Sequence, residues 1–403
     1  MSMAKLKKRR RSRSGLTPGS YLLALSSFFA DMSTEMLYPV LPVFLTDVLK
    51  TPVEIVGLVE GLATGVQYGM QGVSGWLVDR IHRPKTIALI GFTLNAIGKP
   101  VIGLAASWPL ALAGRLTDRF GAGSRSTPRD ALIAASVDEE HRGRAFGLEG
   151  LGDNGGAFLG PMLAILLLYV FHVDLRSIFY FAFIPGLLAF LMIVFVRVRA
   201  GVRAKSDIAS MPAPLSGTYF SPVYRKYLLV TALFGIGNST NAFLILRTKN
   251  AGVPLFATIL LYAFFNLMAA LISFPAGSLS DRIGRKKLLV LCFAIFALVY
   301  LGFALSVNVA LLAFCFVLYG VYSGAYRAVG KTFVTDIVPQ EHRASSIGWY
   351  SAVIGITGFI ASAVGGWLWT NISPSAPFLY GAIFSVAAIP ALLYLVPEIK
   401  RER

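Results

Sequence analysis

The sequence predicts an all-α integral membrane protein in which twelve transmembrane helices form two related six-helix bundles. Composition is the first indication, because 56% of the 403 residues are hydrophobic and only 14% are charged, far from the balance of a soluble domain. Apolar stretches long enough to cross about 30 Å of hydrocarbon as helices recur along the whole chain. A sequence pattern that follows the second stretch returns after the eighth, which indicates two related halves.

The apolar stretches set the expected helices and domains. They begin near residues 20, 54, 87, 108, 143, 176, 227, 255, 288, 308, 344 and 376. The segment between the sixth and seventh stretches is polar and rich in Pro and Gly, which is typical of a linker. We therefore expect a basic tail over 1–18, a bundle over 19–198, a linker over 199–226, a second bundle over 227–396 and a tail over 397–403.

The positions of the basic residues predict the orientation in the membrane. Lys and Arg are concentrated in the N-terminal tail, the linker, the C-terminal tail and the loops after helices 2, 4, 8 and 10. The opposite loops carry Lys50, Arg176, Arg247 and Lys249. By the positive-inside rule both termini are cytoplasmic, in a multi-pass protein of the inner (plasma) membrane. The net charge of +17 then reflects topology and contact with anionic membrane lipid, and we expect no nucleic acid as a partner.

Few residues in the sequence are typical of catalysis or metal binding. Cys292 and Cys315 both lie in apolar stretches, and the four His residues lie in loops. The sequence contains no nucleotide-binding glycine loop and no nucleophile motif. We therefore expect no enzyme activity, no metal and no cofactor.

The repeated pattern between the halves is specific. The first copy, after helix 2, is Gly75-Trp-Leu-Val-Asp79-Arg80-Ile-His82-Arg83-Pro-Lys85. The second copy, after helix 8, is Gly277-Ser-Leu-Ser-Asp281-Arg282-Ile-Gly-Arg285-Lys-Lys287. A carboxylate and a guanidinium held in such a tight loop can bind the end of a neighbouring helix and hold one conformation closed.

With these residues the chain resembles the major facilitator superfamily (MFS) of secondary transporters, over nearly its whole length. The resemblance implies an MFS fold, a monomer and transport by alternating access. The lack of a nucleotide-binding loop in the sequence favours transport without ATP. The resemblance also implies a conformational latch, formed by Gly277, Asp281, Arg285 and Asp336 in the second half and by Gly75, Asp79 and Arg83 in the first. The first copy departs from the family pattern at His82, where Gly is usual, and Ala135 stands where the second half has Asp336. The first latch is therefore weaker or uses Asp130.

Two further patterns resemble those of proton-coupled members. Arg115-x-x-x-Arg119-x-x-x-Gly123 lies on helix 4, and Gly156-x-x-x-Gly160-Pro161 on helix 5 resembles part of the antiporter pattern. The alternative for helix 5 is close helix packing, because small residues every four positions let backbones approach. We expect that packing role for Gly57, Gly61, Gly65 and Gly69 of helix 2.

Charged residues inside the apolar stretches are candidates for function, because such charges are costly in a membrane. Asp31 and Glu35 share one face of helix 1 near Tyr38, whereas the matching part of helix 7 is Ser239-Thr240-Asn241. Arg125 and Arg129 of helix 4 match Arg327 and Lys331 of helix 10, which favours gate or interface roles for all four. The resemblance implies that helices 1, 4, 7 and 10 line a central cavity. The proton-coupling candidates are Asp31, Glu35 and Asp153, and the substrate or cavity candidates are Arg115, Arg119, Tyr38, Asn238, Asn241, Arg327 and Lys331.

These observations favour a proton-coupled exporter of a small organic molecule. A carboxylate held between burial and a nearby Arg can gain or lose a proton when water access changes sides. The alternative for Asp31 or Glu35 is a permanent structural ion pair with Arg115 or Arg119. Alternative functions are proton-coupled uptake of an organic anion such as a siderophore and, more distantly, a non-transporting membrane receptor.

Overall fold

The structure is a computed structural model that describes residues 16–138, 141–197, 220–339 and 343–397. Within these ranges, twelve long helices form two bundles, so the predicted fold class is confirmed. The first bundle contains α1 (Pro18–Leu37), α2 (Val53–Ile81), α3 (Pro84–Gly103), α4 (Trp108–Ser136), α5 (Arg142–Ile165) and α6 (Leu175–Phe195). The second contains α7 (Pro222–Gly237), α8 (Leu255–Ile283), α9 (Arg285–Leu305), α10 (Val309–Ile337), α11 (Arg343–Asn371) and α12 (Ala376–Leu395).

Short helical segments extend three of these helices. Leu41–Val43 and one turn of π-helix at Phe44–Val48 follow α1, a π-helical turn at Leu166–Val170 follows α5, and Ala242–Asn250 follows α7. Helix α7 begins inside the segment 199–226 that the sequence assigns to the linker, because Ser221 caps it and Pro222 starts its first turn. Residues 1–15 of the basic tail, 199–219 of the linker and 398–403 lie outside the described residues.

Helix α7 is broken, although the apolar stretch that begins near residue 227 predicts one continuous helix. Residues 238–241 are not helical, and a second helical segment starts at Ala242. The break exposes backbone groups that must be satisfied locally, since non-helical backbone at membrane depth is tolerated where it lines a cavity. Residues 238–241 line the cavity described below.

The two bundles differ in polarity. Nine helices in the described ranges are long and apolar enough to cross a membrane by length and composition. The other three, α1, α2 and α4, all belong to the first bundle. Helix α4 is the most polar because it contains Arg115, Asp118, Arg119, Arg125 and Arg129, all buried. The costly charges are therefore concentrated in the first bundle and away from lipid.

Close packing of α1 against α5 depends on the Gly-Pro pattern of α5. A Cβ atom at Gly156 would lie 2.2 Å from the carbonyl oxygen of Phe28, and one at Gly160 would lie 2.5 Å from that of Met32. Pro161 continues α5 directly after this contact. The packing alternative for Gly156 and Gly160 therefore matches the geometry, and it fixes α5 against the helix that carries Asp31 and Glu35.

The distance between α2 and α11 increases along the glycines of α2. A Cβ at Gly57 would lie 2.3 Å from a backbone oxygen of α11, one at Gly61 3.0 Å, and one at Gly65 3.8 Å. At Gly69 nothing lies within 4 Å. The expectation that all four glycines pack closely is therefore wrong at Gly69, because the bundles diverge towards the loop between α2 and α3.

At the opposite end the bundles are in contact. Lys249, after α7, forms an ion pair with Asp47, after α1. The rings of Tyr169 and Phe256 meet edge to face with centroids 5.4 Å apart. The crevice between the bundles is thus closed at this end and open towards the α2–α3 loop, which the distribution of Lys and Arg predicts to be cytoplasmic.

Candidate functional site: a charged and tyrosine-rich central cavity

A cavity of about 440 Å³ lies between the two bundles. The first bundle contributes most of the charge, through Glu35, Glu60, Arg115 and Arg119. The second bundle contributes two cations, Arg327 and Lys331. It also contributes an aromatic wall, formed by Tyr262, Phe265, Tyr319, Tyr322, Tyr326 and Tyr350. A cavity of this size accommodates a small organic molecule.

Arg115 is held in a buried ion-pair network. Its Nε and Nη2 donate to Oε1 and Oε2 of Glu60, each at 2.8 Å. Its Nη1 donates to Oδ2 of Asp118 at 3.1 Å, and the residue is only 1% exposed. Neither Asp31 nor Glu35 is its partner, so the alternative that a helix 1 acid neutralises Arg115 is wrong. The two-point contact with Glu60 uses the planar fork of the guanidinium.

Asp118 binds three cations at once. Lys99 Nζ lies 3.0 Å and Arg119 Nε 3.5 Å from its carboxylate oxygens, in addition to Arg115. Asn95 Nδ2 donates a further bond of 2.9 Å. With Glu60, the cluster holds two carboxylates against three cations, so it carries one positive charge in excess. Buried charges require such pairing to be tolerated at all.

Arg119 has one donor, Nη2, that forms no hydrogen bond within this cluster. Its Nη1 donates to Oε1 of Gln67 at 3.2 Å, and its Cζ lies 5.5 Å from the centre of the Tyr38 ring. Its Nη2 is buried and has no hydrogen-bond partner among the described residues. Arg119 and Tyr38 both line the central cavity.

Glu35 connects the two bundles. Its Oε2 accepts a hydrogen bond of 2.8 Å from the hydroxyl of Tyr262 and one of 3.2 Å from Nδ2 of Asn266, both on α8. The ring of Tyr38 stacks on Tyr262 with centroids 5.6 Å apart. Glu35 forms no ion pair with any cation in the described ranges. Of the sequence-predicted acids, it is the one that reaches the other bundle.

Asp31 and Asp153 lie in a second, smaller cavity of about 190 Å³ inside the first bundle. Arg125 Nη2 donates to Asp31 at 3.0 Å, so Asp31 does not face Arg115 in the central cavity as expected. Arg129 binds Glu149 at 2.8 Å and Asp153 at 3.4 Å. Glu35 and Arg119 line both cavities.

The matched cations of the two halves have different environments. Arg125 and Arg129 are buried and paired with acids of their own bundle. Arg327 and Lys331 are exposed and line the central cavity. The gate or interface role expected for all four stays a prediction, and the pairing differs because the second bundle has no acids equivalent to Asp31 and Glu149.

Asn238 and Asn241 hold the broken part of α7 against α10. Asn238 Nδ2 donates to the hydroxyl of Tyr322 at 3.2 Å, and the hydroxyl of Tyr319 donates to Oδ1 of Asn241 at 2.8 Å. Both residues also line the central cavity. They position the aromatic wall.

The second-half latch residues come together at the open end. Arg285 donates to Asp336, and its Nη2 lies 3.4 Å from Oδ1 of Asp281. Gly277 has no atom within 4 Å of where a Cβ would lie. This ion-pair group joins α8, α9 and α10 within one bundle.

The first-half copy has a similar backbone with different side chains. His82 adopts φ of 56°, and its counterpart Gly284 has φ of 94°, so the turn is left-handed in both halves. Asn, Asp and His tolerate this region better than most residues. A Cβ at Gly75 would lie 3.3 Å from Thr127, and Arg83 precedes the first turn of α3. The side chain of Asp79 lies outside the described atoms.

Comparison with known proteins decides the family. The family model described as Major Facilitator Superfamily matches residues 23–271 and 227–403. The chain belongs to the Major Facilitator Superfamily. An uncharacterised MFS-type transporter of Methanocaldococcus jannaschii is 30% identical over 391 residues, covering 94% of this chain and 95% of the relative. Multidrug resistance protein MdtH of Cronobacter sakazakii is 23% identical, covering 96% and 95%.

The fold of this MFS transporter also matches solved structures. The nucleoside transporter NupG superposes with a TM-score of 0.76 at 16% identity, covering 94% of this chain and 99% of that one. As a member of this family, the protein is a multi-pass membrane transporter of a small molecule and not an enzyme.

Sequence reasoning missed several residues at the site of this MFS transporter. Glu60, Gln67 and Asn266 are polar residues in apolar stretches, a signal that could have identified them. Tyr262 gives no such signal, since a Tyr in an apolar helix is ordinary. Its partnership with Glu35 depends on how the two bundles meet.

Proposed function

We propose that this MFS transporter exports a small organic molecule in exchange for protons, with Glu35 as the proton-coupling acid. The observation that carries the proposal is that Glu35 lines the cavity, lacks an ion pair with a described cation, and bonds to Tyr262 and Asn266 of the other bundle. An acid without a counter-charge can gain or lose a proton at lower cost than one locked in an ion pair.

The smaller cavity supplies a proton route to Glu35. It is lined by polar groups, including the Asp31–Arg125 ion pair. Thr34 Oγ1 and Arg125 Nε are buried there without a partner among the described residues. A polar space of about 190 Å³ is large enough for several waters, which such groups would bind. Asp31 and Asp153 then act along this route.

Protonation of Glu35 changes the contact between the bundles. The carboxylate accepts two hydrogen bonds from α8, and bonds to a charged acceptor are stronger than bonds to a neutral one. A protonated Glu35 holds α8 less tightly, which favours reorientation of the bundles. The latch group of Asp281, Arg285 and Asp336 is already formed in this conformation, and we propose that it also helps to stabilise the alternative one, as the family resemblance implies.

The direction of transport rests on two observations. The MdtH relative is named as a multidrug resistance protein, and α5 carries the partial antiporter pattern. We propose a monomer in the inner membrane, with both termini cytoplasmic and the basic tail near anionic lipid. Proton-coupled uptake of an organic anion is the second candidate, because Arg119, Arg327 and Lys331 face the cavity.

Everted membrane vesicles test the proposal. Respiration acidifies their interior, and an acridine dye reports the proton gradient. Export in exchange for protons predicts that adding a transported compound outside releases protons and restores dye fluorescence, and that Glu35→Gln abolishes this response. Compounds that accumulate without proton release, in wild type and variant alike, would contradict it.

A further inference from the structure

The strongest unassigned feature of the molecule is the buried donor of Arg119. Arg119 lines the central cavity and is 7% exposed, and its buried Nη2 has no hydrogen-bond partner among the described residues. A buried charged donor without an acceptor is costly. The cost is removed when a ligand supplies the acceptor.

The surroundings of Arg119 hold its guanidinium in place. Nε lies 3.5 Å from Asp118, Nη1 donates to Gln67, and the Tyr38 ring lies 5.5 Å from Cζ. These contacts hold the guanidinium before any ligand arrives. The cluster of Lys99, Arg115, Arg119, Glu60 and Asp118 carries one positive charge in excess, and an anion would balance it. A pre-oriented guanidinium is well suited to a carboxylate, phosphate or sulfonate.

Ring faces form the opposite wall of the cavity. The centroids of Tyr319 and Tyr322 lie 5.4 Å apart, and those of Tyr322 and Tyr326 lie 5.7 Å apart. The hydroxyl of Tyr319 donates to Asn241, and that of Tyr322 accepts from Asn238. This cluster of rings gives the wall an aromatic surface, which favours a flat apolar body.

The open end of the same cavity is also positive. Arg327 and Lys331 are exposed there and form no ion pair with a carboxylate in the described ranges. Cations that line an entrance raise the local concentration of anions. The cavity therefore attracts, orients and neutralises one kind of ligand.

We propose that the substrate is an aromatic organic anion, whose acidic group binds the guanidinium of Arg119 and whose ring packs on Tyr322 and Tyr326. This inference rests on the proposed role of the central cavity as the transport site. It goes beyond that role because it states the charge and shape of the substrate and assigns residues to its acidic group and to its ring.

Matched probes test this site by titration calorimetry of the purified full-length protein. The probes are naphthalenesulfonate, which is anionic, naphthalenesulfonamide, which is neutral, and naphthylmethylamine, which is cationic. The wild type is expected to bind the sulfonate about tenfold or more tightly than the sulfonamide, because a charge-assisted bond is gained. Equal binding of the two, tighter binding of the amine, or no binding of the sulfonate at millimolar concentration would overturn the proposal.

Two variants locate the effect. Arg119→Gln is expected to remove the preference for the sulfonate, whereas Arg225→Gln, an exposed change on α7 away from the cavity, should keep it. If Arg119→Gln does not fold, Arg327→Gln tests the cation at the open end of the cavity. This variant should bind the sulfonate more weakly and the sulfonamide as the wild type does. Preference unchanged in a folded Arg119→Gln would contradict the assignment.

The vesicle assay separates this proposal from the proposed function. If a neutral or cationic compound drives proton release that depends on Glu35, export stands and the anion site is wrong. If sulfonate binding depends on Arg119 but Glu35→Gln vesicles still release protons, the site stands and the coupling role of Glu35 is wrong.

Discussion

The hydroxyl of Tyr262 on α8 donates a hydrogen bond of 2.8 Å to the carboxylate of Glu35 on α1. This bond joins the two bundles across the central cavity and brings the proposed coupling acid into contact with the moving half. We therefore expect protonation of Glu35 to weaken the contact between the two bundles.

Removal of the Tyr262 hydroxyl should weaken the open conformation described above. Tyr262→Phe deletes one bond to a charged acceptor, worth about 1.5–3 kcal/mol, and keeps the ring that stacks on Tyr38. A Gly69→Cys reporter, which faces the open crevice, should then react more slowly with maleimide, because less protein is open at that end. Tyr224→Phe, which loses a bond to Ser346 within the second bundle, is the control. Equal slowing by both variants would contradict the interpretation.

Loss of Glu60 should destabilise the first bundle. Glu60→Gln leaves Arg115 with only part of its buried counter-charge, and breaking a buried pair costs roughly 3–5 kcal/mol. Thermal unfolding of the purified variant should show a clearly lower midpoint than wild type. Glu54→Gln, on the same helix near the closed end, should change little. The double variant Glu60→Gln with Arg115→Gln should recover part of the loss, and a failure to recover any would contradict the pairing.

Bulk at the closed end should oppose the observed conformation. A Cβ at Gly57 would lie 2.3 Å from a backbone oxygen of α11, whereas one at Gly69 would meet nothing within 4 Å. Overpacking of this kind costs about 1–3 kcal/mol. Gly57→Ala should therefore reduce the open population seen by maleimide labelling at an exposed position of α8, and Gly69→Ala should not. The reverse order would mean that the bundles separate at the other end.

The ion-pair group at the loop after α8 should affect turnover more than binding. Asp336→Asn weakens the contact with Arg285, which lies at the bundle end and outside the residues that line the cavity. The variant should bind naphthalenesulfonate as wild type does but transport more slowly. Lys287→Gln, an exposed change in the same segment, should leave both unchanged. An Asp336→Asn variant with normal turnover would exclude a latch role.

Much of the fold followed from the sequence because the membrane dictates long apolar helices and the halves repeat. The pattern could not show the break at residues 238–241, since Asn and Ser occur in continuous helices as well. At the site, the partner of Arg125 could not be predicted from the sequence. Spacing along α4 cannot reveal that it pairs with Asp31, because helix rotation against a neighbour is decided by packing. Glu35 was identified, whereas its α8 partners depend on contact between distant parts of the chain.

The most direct measurement of the central claim is accumulation of naphthalenesulfonate, or of the first compound that the wild type carries, in proteoliposomes with an imposed proton gradient. Wild type should accumulate the compound against its concentration only when the gradient is present. Glu35→Gln should still exchange labelled for unlabelled compound without a gradient, yet fail to accumulate it. Accumulation by Glu35→Gln at the wild-type level would contradict the proposed role of Glu35.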